Sequence, residues 1–363
     1  MYTSEDVSVV VVNTTSSKAY GYNGIALAGG SGSPGFGIAG AEVHLPLVMN
    51  GHSSWYSHLA IQNSAAVQAG VTVYFENYGS PRSYTIPQAG VLFLDDLSFL
   101  PNLYLGSARV TSDQPVAVTA SHWKDPSSAH MVYAHNGFSS GTSINRLPLV
   151  FRKYSPADIS GWCTGIDVRN LSSTATNVTL TYTPTNQGGT FTATQSLPAN
   201  GKTNFWLPSL SGFPDGSYGV ATLSAGQPVV SVANSRKYAD DVALSYSGFV
   251  DTEGTDAVIL PRVYKSYAGW DSGVQVQNIG DQATSVTITY YHTNGSSLCP
   301  DGPYGITPQQ GHNFYQPINT CLPGGFVGSA VVTASGGDAR IVAQVNAMNY
   351  GASYAISYNG ISR

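Results

Sequence analysis

Along most of the chain, apolar and polar residues alternate with a period of two. In "VTLTY" from Val178, the residues Val178, Leu180 and Tyr182 share one face while Thr179 and Thr181 take the other; "VTVYF" from Val71 and "VTITY" from Val286 repeat the pattern. That alternation predicts half-buried antiparallel strands. Gly, Pro, Asn and Ser clusters separate the strands, and no stretch carries a helical period. About seven such strands per hundred residues predict an all-β chain of immunoglobulin-like sandwiches.

The strands belong to a larger repeat. "SSWYSHLAIQN", "ISGWCTGIDVRN" and "YAGWDSGVQVQN" place Trp55, Trp162 and Trp270 at separations of 107 and 108 residues, each followed eight residues later by Asn63, Asn170 or Asn278. "HLPLV", "RLPLV" and "ILPRV" open the copies, and "HNGF", "YSGF" and "YNGI" close them. The expected organisation is therefore three tandem antiparallel β-sandwich domains at 42–140, 141–254 and 255–363. Each tryptophan shares strand parity with the apolar residues after it, as with Trp162, Ile166 and Val168, which marks the three as core anchors.

The same alignment explains the start of the chain. "DVSVVVVN" and "SKAYGYNGI" match the last two strands of the repeat, so residues 1–27 read as an orphan β-hairpin, the tail of a partial fourth copy, joined by a Gly-rich linker at 28–41. A valine run of this kind needs a host, because an isolated hairpin is marginal in water and a bare strand edge recruits partners. Val7, Val9, Val10, Val11, Val12, Tyr20 and Tyr22 are the candidate assembly residues. The host is either domain 42–140 of the same chain or a neighbouring subunit reached by β-augmentation. A chain that opens on part of a repeat also reads as a possible piece of a longer array.

Composition then narrows the partners. Charged residues are only 10% of the chain, 15 Lys and Arg against 20 Asp and Glu, for a net charge of −5. No basic patch serves a nucleic acid, and no stretch approaches the ~20 apolar residues of a membrane helix. Cys299 and Cys321 bracket one loop-rich segment and form the expected disulfide, with Cys163 as a free, buried thiol.

Candidate chemistry is sparse. Six of the eight histidines lie in the first copy (His44, His52, His58, His122, His130, His135), and without an HExxH or a close His/Cys pair they read as surface residues rather than a metal site. The adjacent pairs Asp95–Asp96 and Asp240–Asp241 read as turn acids. No phosphate loop, calcium loop or nucleophile elbow stands where its mechanism could operate. No catalytic residue, cofactor or metal is therefore expected. Tyr78, Tyr104, Tyr133, Tyr264, Tyr267 and Tyr304 are candidates for stacking on glycans or for joining subunits. Asn13, Asn170, Asn177 and Asn294 stand in glycosylation sequons.

As a whole, "LPLV", a GW-type strand ending in QN, "VTVTY"-like strands and "YNGF" resemble the tandem Ig-like β-sandwich repeats of bacterial cell-surface proteins, such as those of filamentous Chloroflexota-like bacteria. The resemblance implies an extracellular or cell-surface location and a structural or adhesive role. The leading expectation is a non-catalytic subunit of a surface filament or layer, a homopolymer. The alternative is a carbohydrate-binding or adhesive module.

Overall fold

The computed structural model describes residues 10–14, 19–23, 39–125, 127 and 131–363. Val7, Val9 and most of the 28–41 tract lie outside them. The described chain is all-β. The hairpin is β1 (Val10–Thr14) and β2 (Ala19–Asn23), paired antiparallel. The first copy holds β3 (Gly40–His52), β4 (Trp55–Asn63), β5 (Ala69–Phe75), β6 (Arg82–Ile86), β7 (Val91–Leu94), β8 (Tyr104–Lys124) and β9 (Val132–Asn136). The second holds β10 (Thr142–Arg152), β11 (Trp162–Asn170), β12 (Thr176–Pro184), β13 (Phe191–Leu197), β14 (Lys202–Trp206), β15 (Ser217–Lys237), β16 (Val242–Ser247) and β17 (Phe249–Val250). The third holds β18 (Ala257–Lys265), β19 (Asp271–Asn278), β20 (Thr284–His292), β21 (Ser297–Ile306), β22 (Gly311–Tyr315), β23 (Phe326–Ser335), β24 (Ile341–Asn349), β25 (Tyr354–Asn359) and β26 (Ile361–Ser362).

Each copy is a sandwich of two four-stranded sheets, and copies 2 and 3 each add a short fifth strand, β17 or β26, at the edge of one sheet. In copy 3 the sheets run β21-β20-β23-β18-β26 and β22-β19-β24-β25. In copies 1 and 2 one long bent strand, β8 or β15, serves both sheets. In copy 3 the corresponding halves are the separate strands β23 and β24. Three separate cores fill the sandwiches, around Val71, Val73 and Val110 in copy 1, Val178, Leu180 and Leu223 in copy 2, and Val286, Ile288 and Val332 in copy 3.

The motifs that recur have local physical reasons. Pro46, Pro148 and Pro261 each sit in a register shift of the opening strand, between Leu45 and Val48, Leu147 and Val150, and Leu260 and Val263. Proline cannot donate to a ladder, so the chain bulges there. The Leu149 amide in the bulge donates to the Tyr246 hydroxyl at 3.1 Å, which donates on to the Leu149 carbonyl at 2.7 Å. Tyr358 bridges Arg262 in the same way. The asparagine that ends each tryptophan strand is fully buried and ties two turns together: Asn170 Nδ2 donates to the Thr174 and Pro198 carbonyls, and its Oδ1 accepts from the Ser172 amide. Asn63 and Asn278 do the same. The closing glycine is required by close approach, since a Cβ on Gly137 would lie 2.5 Å from Val43 Cγ1 and one on Gly360 2.4 Å from Val258 Cγ1.

The last strands of the copies meet at the centre of the molecule. β9 packs beside β16, β16 beside β25, and the hairpin strand β2 lies against both β25 and β9. Four equivalent strands thus surround one axis, three from full copies and the fourth from the hairpin, whose host in this structure is its own chain.

Candidate functional site: the seams between copies

Successive copies are joined by one recurring seam. The preceding copy offers its bulged opening strand and its tryptophan; the following copy receives them on the outer face of its last two strands. Leu47, Met49, Trp55 and Tyr133 pack in this way against Val230, Val232 and Ala243. Leu149, Phe151, Trp162 and Leu244 pack against Ala355 and Met348. Phe249 adds a second contact with Ile279 and Val342.

The tryptophans are therefore placed differently from the sequence expectation. None belongs to a sandwich core; Trp55 and Trp162 are buried in the seams, and Trp270 stays half-exposed beside Tyr264 and Ile356. Each stands at or just before the start of its strand, at the rim of the sandwich, where parity no longer decides which neighbour covers the ring.

The first seam is also strongly polar. Arg169 Nε donates to His44 Nδ1 at 3.3 Å, and its guanidinium reaches the Ser107 hydroxyl. Glu76 accepts from the Lys202 amide at 2.9 Å and from the Ser107 amide and hydroxyl at 3.0 and 2.7 Å. Burial, reinforced by the positive charges of Arg169 and Arg109, pushes the His44 pKa down to about 3. His122 and His135 stack with ring centroids 5.1 Å apart. Burial pushes His135 down to about 4 and His122 well below the usual histidine range. Three histidines expected at the surface are thus buried and neutral. His52 and His58 are half-exposed, and His130 lies outside the described residues.

Between copies 1 and 2 the seam encloses a cavity of about 350 Å³, whose lining includes Trp55, Asp167, Asn204, Trp206, Arg236 and Tyr238. Trp55 Nε1 and Arg236 Nε are buried and without a hydrogen-bond partner among the described residues. The Arg236 guanidinium stands 4.7 Å from the centre of the Trp55 ring, and its Nη2 donates to the Tyr133 hydroxyl at 3.3 Å. Asp167 is held by Lys202 Nζ at 2.6 Å and Asn234 Nδ2 at 3.0 Å.

The second seam sets a phenol beside its tryptophan. Tyr350, the residue equivalent to Tyr238, lies next to the Trp162 indole. Met348 stands where the first seam has Arg236. Arg146 bonds Asp251 at 2.7 Å and reaches Gln309 of copy 3. Asn359 Nδ2 donates to the Ser247 carbonyl at 2.8 Å across the two last strands.

Other predicted residues fall as follows. Cys299 and Cys321 are joined by a disulfide, and Cys163 is free and buried. Tyr104, Tyr133 and Tyr264 are buried, Tyr78 is half-buried, and Tyr267 and Tyr304 are exposed. The Asn170 sequon is structural, its side chain fully buried in the turn network, whereas Asn177 and Asn294 are exposed. Among the described residues no group of three His, Cys, Asp or Glu side chains could hold a metal ion. No helix among them is long and apolar enough to cross a membrane.

No protein-family model and no curated protein matches this sequence. Among solved structures, Thermotoga maritima 1070 is similar at 10% identity and a TM-score of 0.26, over 30% of this chain and 95% of its own. Fibronectin domains FN1–FN3 of chicken CNTN1 are similar at 10% identity and a TM-score of 0.12, over 91% of this chain and 99% of theirs. The major pilin of Streptococcus pyogenes, in a point-mutant form, is similar at 8% identity and a TM-score of 0.17, over 88% of this chain and 98% of its own. All three scores are low.

Proposed function

We propose that this chain is a non-catalytic, extracellular structural subunit that assembles with copies of itself by repeating the seam that joins its own domains. One observation carries the reading. The outer face that copies 2 and 3 bury in their seams is open on copy 1: Ala117, Thr119 and Ser121 are half-exposed where Val230, Val232, Asn234, Val342, Gln344 and Asn346 are buried. The same face presents the Tyr56–Trp123 stack, with centroids 4.7 Å apart, together with Val91 at 46% and Phe93 at 60% exposure. Exposed aromatic and aliphatic side chains gathered on one face in this way fit an interface.

The occupant that matches it is a tryptophan edge of the same repeat on a second copy. The edge around Trp270, with Tyr267 exposed at 41%, is the one tryptophan edge among the described residues not packed under a full following copy. Joining the copy 3 edge of one molecule to the copy 1 face of the next is a head-to-tail contact, which builds open filaments when it does not close. The disulfide and the low charge support an oxidising, extracellular setting.

Sedimentation and electron microscopy of the purified chain test this reading. Concentration-dependent linear polymers are expected, and Phe93→Lys, at an exposed site, is expected to return the chain to monomers. A parent that stays monomeric at every concentration overturns the assembly.

A further inference from the structure

We infer that the cavity between copies 1 and 2 is a binding site for a small polyhydroxy carboxylate of about hexuronate size. The inference is independent of the assembly surface, with which the cavity lining shares no residue. Its volume, about 350 Å³, stands at the small end of ligand pockets.

The unmet chemistry of the lining names the ligand. Trp55 Nε1 and Arg236 Nε are donors only, and both are buried without a partner among the described residues. A buried donor left unpaired is costly, so a ligand acceptor at this place is strongly favoured. Arg236 brings a permanent positive charge, and Lys124 Nζ lies 5.8 Å from the same Trp55 ring while donating to the Ser53 carbonyl. An acceptor facing two donors, one of them on a guanidinium, is best supplied by a carboxylate.

The rest of the lining suits hydroxyl groups and a ring. The Asp167 carboxylate is neutralised by Lys202 yet keeps free lone pairs, and the Asn204 amide stands beside it across the strand pair. Trp206 is half-exposed and its indole lies against Gly165, where a Cβ would come within 3.3 Å of Trp206 Cε3. Such a supported indole gives a flat apolar platform for the C–H face of a sugar ring. The equivalent place in the second seam has lost this set: Met348 replaces the arginine, beside Trp162 and Tyr350.

Titration of the full-length chain with sodium galacturonate and sodium glucuronate, followed by calorimetry and NMR, is the test, with galactose, glucose and acetate as controls. Saturable binding of a hexuronate is expected, with each control at least about tenfold weaker because it lacks either the charge-assisted bonds or the hydroxyls. Arg236→Gln should weaken hexuronate binding by about tenfold or more. Trp206→Ala, at a half-exposed site where folding is readily checked by circular dichroism, should weaken it too. Absence of saturable hexuronate binding overturns the site. So does binding that both substitutions leave unchanged, and so does equal binding of the neutral hexoses. Since sedimentation reads assembly separately, failure here and failure of the assembly reading are distinguishable.

Discussion

The two seams of this molecule are built on one plan and finished differently. Both press a bulged strand and a tryptophan onto the outer face of the next domain. In the second, the tryptophan lies beside Tyr350, Phe151, Tyr154 and Met348, and the polar contacts across the joint, Arg146 to Gln309 and Asn359 to the Ser247 carbonyl, involve no histidine. In the first, the joint runs through buried ionic and histidine contacts and leaves a cavity with two unpartnered donors. A repeated contact thus separates what is needed to join domains from what one joint has in addition. The apolar strand and the tryptophan are common to both; His44, His122, His135, Arg169 and Arg236 are not.

The largest expected effect comes from removing the common part. Trp162→Ala deletes a buried indole from the second seam and should cost about 4 kcal/mol. Denaturant unfolding of the variant should then show copy 3 uncoupling from copy 2. A loss under about 1 kcal/mol would mean that the seam is not held by packing.

Acid separates the two seams next. His44 and His135 have folded pKa values of about 3 and about 4 against an ordinary value of 6.5, so the unfolded chain takes up their protons first. Their contribution to stability is complete above pH 6.5 and is lost as pH falls from there toward the folded values. By pH 5 each should have removed about 2 kcal/mol. His122, shifted in the same direction, adds to the loss. Copy 1 and the first seam should therefore unfold before copies 2 and 3 on acidification, read by hydrogen exchange between pH 7.5 and 5. Uniform loss of protection across the three copies would contradict this.

A smaller difference separates the tryptophans themselves. Phenylalanine keeps most of the ring and loses the indole N–H. Trp162→Phe should cost about 1 kcal/mol more than Trp55→Phe, because only Trp162 has a phenol, that of Tyr350, beside its indole to take up the N–H, whereas Trp55 Nε1 has no partner among the described residues. Equal costs in thermal unfolding would show that Trp55 Nε1 is satisfied after all.

How much of this was open to reading in the sequence depends on whether a contact repeats. The period of Trp55, Trp162 and Trp270 and the alternation in "VTLTY" fixed the copies and the sandwich class, since strand parity follows from local burial. The LPxV and terminal Asn markers were visible as recurrences, but their work as a bulge and as a clasp on two turns appears only when the distant strands meet. The seams left little signal because they join residues such as Met49 and Val232, far apart in the chain and ordinary in composition. Histidine exposure was misread for two reasons: His44 is on the outer face of its sheet and is covered by Arg169 of the next copy, while His122 and His135 are on the inner face of copy 1, His122 on the parity of Val118 and Ala120.

The smallest effect tests the comparison most closely, because it converts copy 1 into the pattern of copy 2. At the position of Tyr246 and Tyr358, copy 1 has His135, whose Nδ1 bonds the Asn136 carbonyl and whose Nε2 has no partner among the described residues. In copies 2 and 3 the tyrosine hydroxyl satisfies the backbone of the bulge residue. His122, which stacks on His135 and shares a 2.8 Å hydrogen bond with Ser57, stands where copy 2 has Ser235, bonded to Thr164 at 2.7 Å. The pair His122→Ser and His135→Tyr should therefore reproduce both contacts together: a serine pair in place of Ser57–His122, and a tyrosine hydroxyl bridging the bulge at Leu47. Two neutral hydrogen bonds replace two buried imidazoles with bare nitrogens, and a gain of about 0.5–1 kcal/mol at pH 7.5 is expected. The acid loss should shrink to that of His44. Chemical unfolding of the double variant at pH 7.5 and pH 5 measures both; a variant less stable than its parent at pH 7.5, or equally sensitive to acid, would show that the histidine pair is fitted to copy 1 in a way the other copies do not share.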